Sequence, residues 1–394
     1  MSRDAHEAGV APDDAVMTVD WERLRREEFP VAERWAYLDH AAVAPLPRSS
    51  ARVLRAWVDD QEANGVVHWL DWEAKLTAAR GDLARLIGAR TDEIAYVNST
   101  TQGIGIVAEG FPWRPGDNVV TAAEEYPSNL YPWMNLADRG VTLRTVPSRG
   151  GRVELGDLFA AVDGSTRLLT ISHVEFASGF RNDLDAIGGF CRERGIAFFV
   201  DAIQGLGPLT IDVGRTPVDF LAADGHKWLL GPEGAGFLYV RSEWVERLRP
   251  VGVGWHSVVA SFNSSTVELK FKPGAERWEG GSFAMPGLQA FAASVGLILR
   301  LGPQAVSERI LDRAEAVREI VRSAGWTIEG STRPGDLSGI VAVTKPGVDP
   351  NVVVKALRER GVAAACRRER LRFSPHVYTN RDDLDRLAEA LAEF

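Results

Sequence analysis

Between residues 93 and 240 one unit recurs, a short apolar run bounded by polar turns: EIAYV, NVVTA, VTLRTV, RLLTIS, IAFFV, VDFLAA and GAGFLYV. Most of these runs lack the in-out alternation of a half-exposed strand, so they read as strands buried on both faces. Helical spacing of apolar residues lies between most of them, at 101–110, 130–139 and 184–194. Strand-helix alternation of this kind predicts a mainly parallel sheet with helices on both faces, a large α/β domain.

The flanks of this region differ from it. Residues 1–18 are polar and aperiodic and read as a mobile tail. From 50 to 87 apolar residues fall at helical spacing (Val53, Leu54, Trp57, Val58, then Leu76, Leu83, Leu86), with a break near Asn64-Gly65, so two helices are expected. Beyond Met285 come two long helical patterns, the run GIVAVTK, a helix at NVVVKALRER, short strands VAAA and LRFS, and a last helix from Asp382. This is the texture of a smaller α+β domain. The expected division is a segment at 19–37 packing with the small domain, a large domain at 38–283 and a small one at 284–394.

Charge and cysteine content narrow the function classes. A formal net charge of -9 over 394 residues, without a run of Lys/Arg, argues against nucleic acid as a partner. Cys191 and Cys366 lie far apart with no paired spacing, which suggests neither a disulfide framework nor a metal site. No signal-like start and no stretch near the roughly 20 apolar residues of a bilayer span is present, so a cytoplasmic protein without a membrane partner is expected.

Three segments carry chemistry. In VDFLAADGHKWLLGPEGAGFLYV a strand runs into Gly-His-Lys, placing Lys227 at a strand's carboxyl end, where open α/β sheets bind ligands. A lysine beside a cation or in an apolar recess has a depressed pKa suited to Schiff-base chemistry. A lone lysine in a turn is usually surface, and the surrounding pattern is what reverses those odds. Asp201 ends the apolar run AFFVD, 26 residues earlier, where a buried carboxylate needs a partner; as an isolated feature it would be a helix cap. In NSTTQGI, hydroxyl residues open a helix after a strand, and free N–H groups at such a start bind phosphate. Simple capping is commoner, so this segment counts only together with the other two.

The lysine segment resembles the class V aminotransferase family, which includes cysteine desulfurases and isopenicillin N epimerases. Asp219, Gly225, His226, Lys227, Gly234 and Gly236 fill its signature, and the likeness runs from about Tyr37 to the C-terminus through YLDHAAVAPLP, EEYPSNLYPW, VDAIQGLG, RWEGGS and RFSPHVY. The resemblance implies the fold of type I pyridoxal 5'-phosphate (PLP) enzymes, with Lys227 holding the cofactor as a Schiff base. It implies further that Asp201 pairs with the pyridine nitrogen, Gln204 with the ring oxygen, and Thr100, Thr101 and His226 with the phosphate. Tyr126 would stack on the ring, Ser282 would reach the phosphate of a neighbouring subunit in a homodimer, and Arg372 would bind the substrate carboxylate. His40, Trp255, His173 and His256 sit in adjoining loops; His40 and Trp255 are taken as substrate-side candidates, although each alone is more often structural.

Departures from the family pattern bear on the reaction. Desulfurases carry a nucleophilic cysteine on a loop before the final strand, and GVAAACRRERLRFSPH has no room for that loop. Cys366 falls within the strand itself. Tyr126 replaces a histidine, Phe176 an asparagine, and Asp224 stands where many relatives have a phosphate-binding serine, bringing two anions close together. The resemblance implies Schiff-base exchange with an amino-acid substrate and removal of its α proton by Lys227. A β-eliminating carbon–sulfur lyase or an aminotransferase ranks first, an epimerase or a non-catalytic PLP-binding protein second, and a desulfurase last.

Overall fold

The computed structural model describes residues 19–259, 262, 265 and 267–394. The expected tail at 1–18 lies outside the described residues. Among the described residues thirteen strands follow in chain order: β1 Ala36–Tyr37, β2 Ile94–Val97, β3 Asn118–Ala122, β4 Thr142–Val146, β5 Thr166–Ser172, β6 Ala197–Asp201, β7 Phe220–Asp224, β8 Gly236–Val240, β9 Thr327–Ile328, β10 Val341–Thr344, β11 Val362–Ala363, β12 Ala365–Arg367 and β13 Arg370–Phe373.

The strands β2 to β8 form one seven-stranded sheet in the order β2-β8-β7-β6-β5-β3-β4. Only β8 runs against its neighbours, and the β3–β4, β3–β5, β5–β6 and β6–β7 pairs are parallel. Every residue of β2, β3, β6, β7 and β8 is buried, which explains their unbroken apolarity. Because β8 alone is reversed, the carboxyl ends of β2, β3, β5, β6 and β7 share one edge, and the site is assembled there.

Two glycines set how closely the chain approaches itself at this edge. A Cβ on Gly103 would stand 2.8 Å from the Cβ of Ala222, so its absence lets the helix Thr100–Gly110 lie directly on β7. A Cβ on Gly225 would meet the Phe291 ring at 2.5 Å, and without it the chain turns from β7 to Lys227 against that ring.

The expected pair of helices is Arg48–Asn64 and Trp69–Ile87, the first ending at Gly65 with φ 58°. The helical pattern at 130–139 becomes a four-residue helix, Tyr131–Met134, between 3-10 turns. Pro127 and Pro132 remove donors that a continuous helix would use. The apolar helix Met285–Leu301, expected with the C-terminal domain, packs on Arg48–Asn64 and Trp69–Ile87 instead, and its buried Met285, Leu288, Phe291 and Val295 join the large core. Ser50 and Ser294 bond across that interface at 2.6 Å. No single helix among the described residues is long and apolar enough to cross a membrane.

Besides the large core and a second cluster that includes Val107, Phe199, Phe220 and Leu238, a third core gathers Ala314, Val317, Val321, Trp326, Val341, Leu357, Leu371 and Leu387 around the antiparallel sheet β12-β13-β10-β9. The early residues Ala36 and Leu38 belong to it through the parallel pair β1–β11. Arg25 ties the first helix to the same unit, bonding the Tyr378 carbonyl and the Asp383 carboxylate, both at 2.6 Å. Trp228, 1% exposed, belongs to the large core, its indole N–H donating to Gln204 Oε1 at 2.8 Å. Truncating it to Ala would cost about 3–5 kcal/mol.

Candidate active site

Strand ends and one hairpin enclose a cavity of about 300 Å³. Asp201 closes β6, Asp224 closes β7, Lys227 follows three residues later, and Thr100 opens the helix after β2. Arg367 and Arg372, from the β12–β13 hairpin of the small domain, form the facing wall. The volume lies at the lower end of the roughly 300–1,000 Å³ usual for small-molecule sites.

Electrostatics set this cavity apart from a surface cleft. Burial pushes the Lys227 ammonium down to about 8, against the attraction of Asp201, and Arg372 adds to the depression. Its Nζ has no hydrogen-bond partner among the described residues and lies 5.6 Å from the centre of the Tyr126 ring. Asp201 is pushed up to about 6 by burial, although the Ile203 N–H donates to its Oδ1 at 3.0 Å. A buried amine and a buried carboxylate facing one cavity, both shifted toward neutrality, are what functional sites concentrate.

The helix start lies at another part of the cavity wall. Ser99 caps Thr100–Gly110 by accepting from the Gln102 N–H at 3.1 Å. Thr100 Oγ1 accepts from the Asp224 N–H at 3.0 Å, which leaves its own hydroxyl proton free, and the Thr101 hydroxyl donates to Ser128 at 2.7 Å. Asp224 Oδ1 and His226 Nδ1 approach to 3.2 Å without the alignment of a hydrogen bond, and neither buried atom has another partner. Gln204 donates to the Ala41 carbonyl at 3.0 Å and accepts from Trp228, leaving one amide proton unused. Arg372, 1% exposed, donates to the Phe176 carbonyl at 2.9 Å and lies 3.4 Å from Asp39. Burial holds that guanidinium down to about 10.

Of the residues singled out from sequence, Lys227, Asp201, Gln204, Asp224, His226, Thr100, Thr101, Tyr126 and Arg372 meet at this cavity. His40 does not line it: the imidazole is fully buried between Ser374 O at 2.9 Å and the Tyr378 hydroxyl at 2.8 Å, with the His376 ring tilted against it at 4.8 Å. Its loop does touch the site, through Ala41 and Ala42. Ser282 and Trp255 line a different cavity, about 570 Å³ and walled by Trp57, Trp69, Trp72 and Phe283. His256 is buried behind that wall against Phe283. His173 lies under the sheet edge, held down to about 3 by burial, and borders a third cavity of about 710 Å³ with Arg181 and Arg333. That third cavity is larger than the other two but has no lysine among its lining residues, so chemistry and not size picks out the site.

Three contributors were not read from the sequence. Arg367 and Glu233 line the cavity. Glu125 is fully buried and accepts from both the N–H and the hydroxyl of Ser172 at 2.5 Å; burial and neighbouring Glu175 raise its pKa well above the usual range. The signal for Arg367 was present as the arginine run RRERLR, whose strand register could not be known without the hairpin.

The profile of the aminotransferase class-V family matches residues 36–387. A probable cysteine desulfurase from Methanothermobacter thermautotrophicus is 31% identical over 392 residues, 93% of this chain and 96% of that protein. The isopenicillin N epimerase of Streptomyces clavuligerus is 30% identical over 391 residues, 94% of this chain and 98% of that one. A solved cystine C–S lyase in complex with cysteine persulfide superposes with a TM-score of 0.86 at 23% identity, covering 93% of this chain and 99% of that chain. The chain belongs to the aminotransferase class-V family and has the type I fold of PLP enzymes. It is a PLP-dependent enzyme.

The cavity fits that cofactor on its own terms. It offers an amine without a hydrogen-bond partner, a carboxylate whose second oxygen carries no hydrogen bond, and a capped helix start with a spare hydroxyl proton.

Proposed function

We propose that this enzyme cleaves a carbon–sulfur bond of a cysteine-like amino acid by β-elimination. The observation that carries the reading is the β12–β13 hairpin. Arg367 pairs with Arg370, so only Arg368 and Glu369 form the turn, with φ 48° and 60°, and no loop exists there to bring a cysteine toward Lys227. Cys366 sits within β12, outside the cavity lining, and burial raises its thiol pKa, which disfavours the thiolate. Two relatives are named for chemistry at sulfur, and without a cysteine nucleophile elimination is the route left to that chemistry.

Bound PLP supplies a carbonyl that condenses with amines and a ring that draws electron density from the substrate's α-carbon. Lys227 would hold the carbonyl carbon, Asp201 would keep the pyridine nitrogen protonated, and Thr100, Thr101 and His226 would hold the phosphate. The unused Gln204 amide proton suits the ring oxygen, and Tyr126 would cover one face of the ring. Arg372 would take the substrate's α-carboxylate, its fork already aimed by Phe176 and Asp39. Once freed, Lys227 would remove the proton from Cα; its lowered pKa leaves a share of the amine uncharged near neutrality. Departure of the β-thiolate, followed by hydrolysis, leaves a 2-keto acid, ammonia and a thiol.

Ser282 and Trp255 support a homodimer. On this chain they stand in the aromatic cavity, away from Lys227, and that cavity adjoins the exposed Val66, Val67 and Leu70. Apolar surface of this kind marks an interface, and Ser282 would reach the phosphate bound by a second copy.

The test is to incubate the holoenzyme with single amino acids and cysteine conjugates and to identify products by mass spectrometry. Keto acid, ammonia and thiol in equal amounts support elimination. Transfer of the amino group to an added 2-keto acid, with the sulfur retained, overturns it in favour of transamination. Exchange of the α proton with inversion would point to an epimerase, the reading to which the Streptomyces relative lends weight.

A further inference from the structure

Four arginines stand on the hairpin, Arg367, Arg368, Arg370 and Arg372, and three of them are neutralised by the chain itself. Arg368 and Arg370 face Glu124 at 3.6 and 3.9 Å, Arg370 also faces Glu329 at 3.5 Å, and Arg372 faces Asp39 at 3.4 Å. Arg367 is the exception: among the described residues no carboxylate lies within ion-pair distance, and its one side-chain hydrogen bond goes to the neighbouring Cys366 carbonyl at 2.8 Å. It is also the one that lines the cavity together with Arg372.

Strand register explains why these two arginines act together. Ala365 pairs with Arg372 and Arg367 with Arg370, so Arg367 and Arg372 share one face of the ladder as diagonal neighbours. Diagonal positions lie about 7–8 Å apart, close enough for two long side chains to converge on one ligand. The two-residue turn holds this spacing rigidly. Half-buried at the cavity wall, with no carboxylate within ion-pair distance among the described residues, the Arg367 guanidinium is available to an anionic ligand.

We infer that Arg367 binds a second anionic group, so that the preferred substrate is an amino acid carrying a carboxylate or comparable anion on its side chain in addition to the α-carboxylate. This rests on the reading of Arg372 as the α-carboxylate site. The field agrees with it. Arg367 and Arg372 both depress Lys227, Arg367 also depresses Arg372, and Asp39, whose field both arginines share, is paired with Arg372 at 3.4 Å.

Calorimetric titration of the PLP-loaded enzyme with glutarate and with its monoamide, glutaramate, isolates the second charge, because the two differ little except in one carboxylate. Wild type should bind glutarate about tenfold or more tightly than glutaramate, the size expected of one charge-assisted pair. Arg367→Gln should bring that ratio near one while leaving glutaramate within about twofold of its wild-type affinity, and Arg367→Lys should restore part of the ratio. An unchanged ratio in Arg367→Gln, a wild-type ratio near one, or no measurable glutarate binding overturns the inference. Arg372→Gln should weaken both ligands; if glutaramate binding is unaffected by it, the α-carboxylate reading fails, and that failure is seen independently of the Arg367 ratio.

Discussion

The two walls of the cavity are built by different means. On the large-domain side, Asp201, Asp224 and Lys227 sit at or just past the ends of strands whose every residue is buried, and their positions follow from a parallel register five residues deep between β5 and β6. On the small-domain side, Arg367 and Arg372 ride a hairpin of three and four residues whose turn places two non-glycine residues at positive φ. The first wall has a register that the whole core enforces, and it carries groups that any reaction at an amine would need. The second can change by a turn's length without disturbing the core, and it carries the two arginines to which we assign substrate choice. On that proposal chemistry and selectivity fall to parts of the molecule with different tolerance for change.

The sharpest way to break that division is at Lys227. Replacing it with Ala should lower turnover on the order of 10⁴-fold, since a covalent anchor and a proton-transfer group are lost together. Borohydride should fix PLP covalently on Lys227 in the wild type, and peptide mapping that finds the adduct on another lysine would refute the assignment. Asp201→Asn keeps the shape and removes the charge; a loss of about 10²–10³ in kcat with little change in substrate KM is expected, as for other preorganised charge partners. If both numbers stay within twofold, Asp201 does not act on the cofactor.

A third measurement asks whether the large-domain wall is strained without its ligand. The Lys227 pKa lies near 8 in the fold against 10.5 in the unfolded chain, so between those values the unfolded state holds more protons and stability contributed by this group rises with pH. Apoprotein unfolded in urea at pH 8 and pH 10 should show this as a gain, relative to Lys227→Met, on the order of 2 kcal/mol. Parallel curves for the two proteins would mean that the amine is not desolvated.

Asp224→Ser tests a smaller effect. With the Asp224 carboxylate 3.2 Å from His226 Nδ1 and placed to orient that ring, its loss should loosen PLP by no more than several-fold. Tighter PLP in the Ser variant would show instead that Asp224 repels the phosphate directly. Smallest of all, the pair Arg368→Asn and Glu369→Gly should raise stability by about 1 kcal/mol, because left-handed backbone costs those residues little. Elimination kinetics should stay within twofold, and a drop in Tm would show that the wild-type turn is not strained.

How much of this was legible beforehand depends on the range of the interaction that decides it. The buried strands, the turn that exposes Lys227, the carboxylate at the end of AFFVD and the hydroxyl-capped helix start are each written within a few consecutive residues, since strand burial, turn chemistry and capping act locally. So was the missing loop at 362–373, with Cys366 inside the strand. Three-dimensional packing decided the rest. His40 lies two residues from cavity-lining Ala42, yet its ring is committed to Ser374 and Tyr378, more than 330 positions away. Ser282 and Trp255 came together in an aromatic cavity because Met285–Leu301 packs against the two early helices. Arg367 became a cavity residue only through its register with Arg370, a cross-strand relation. Local chemistry names the groups a segment offers; which distant groups share one cavity is set by the packing of whole elements, for which no short stretch of the chain carries the instruction.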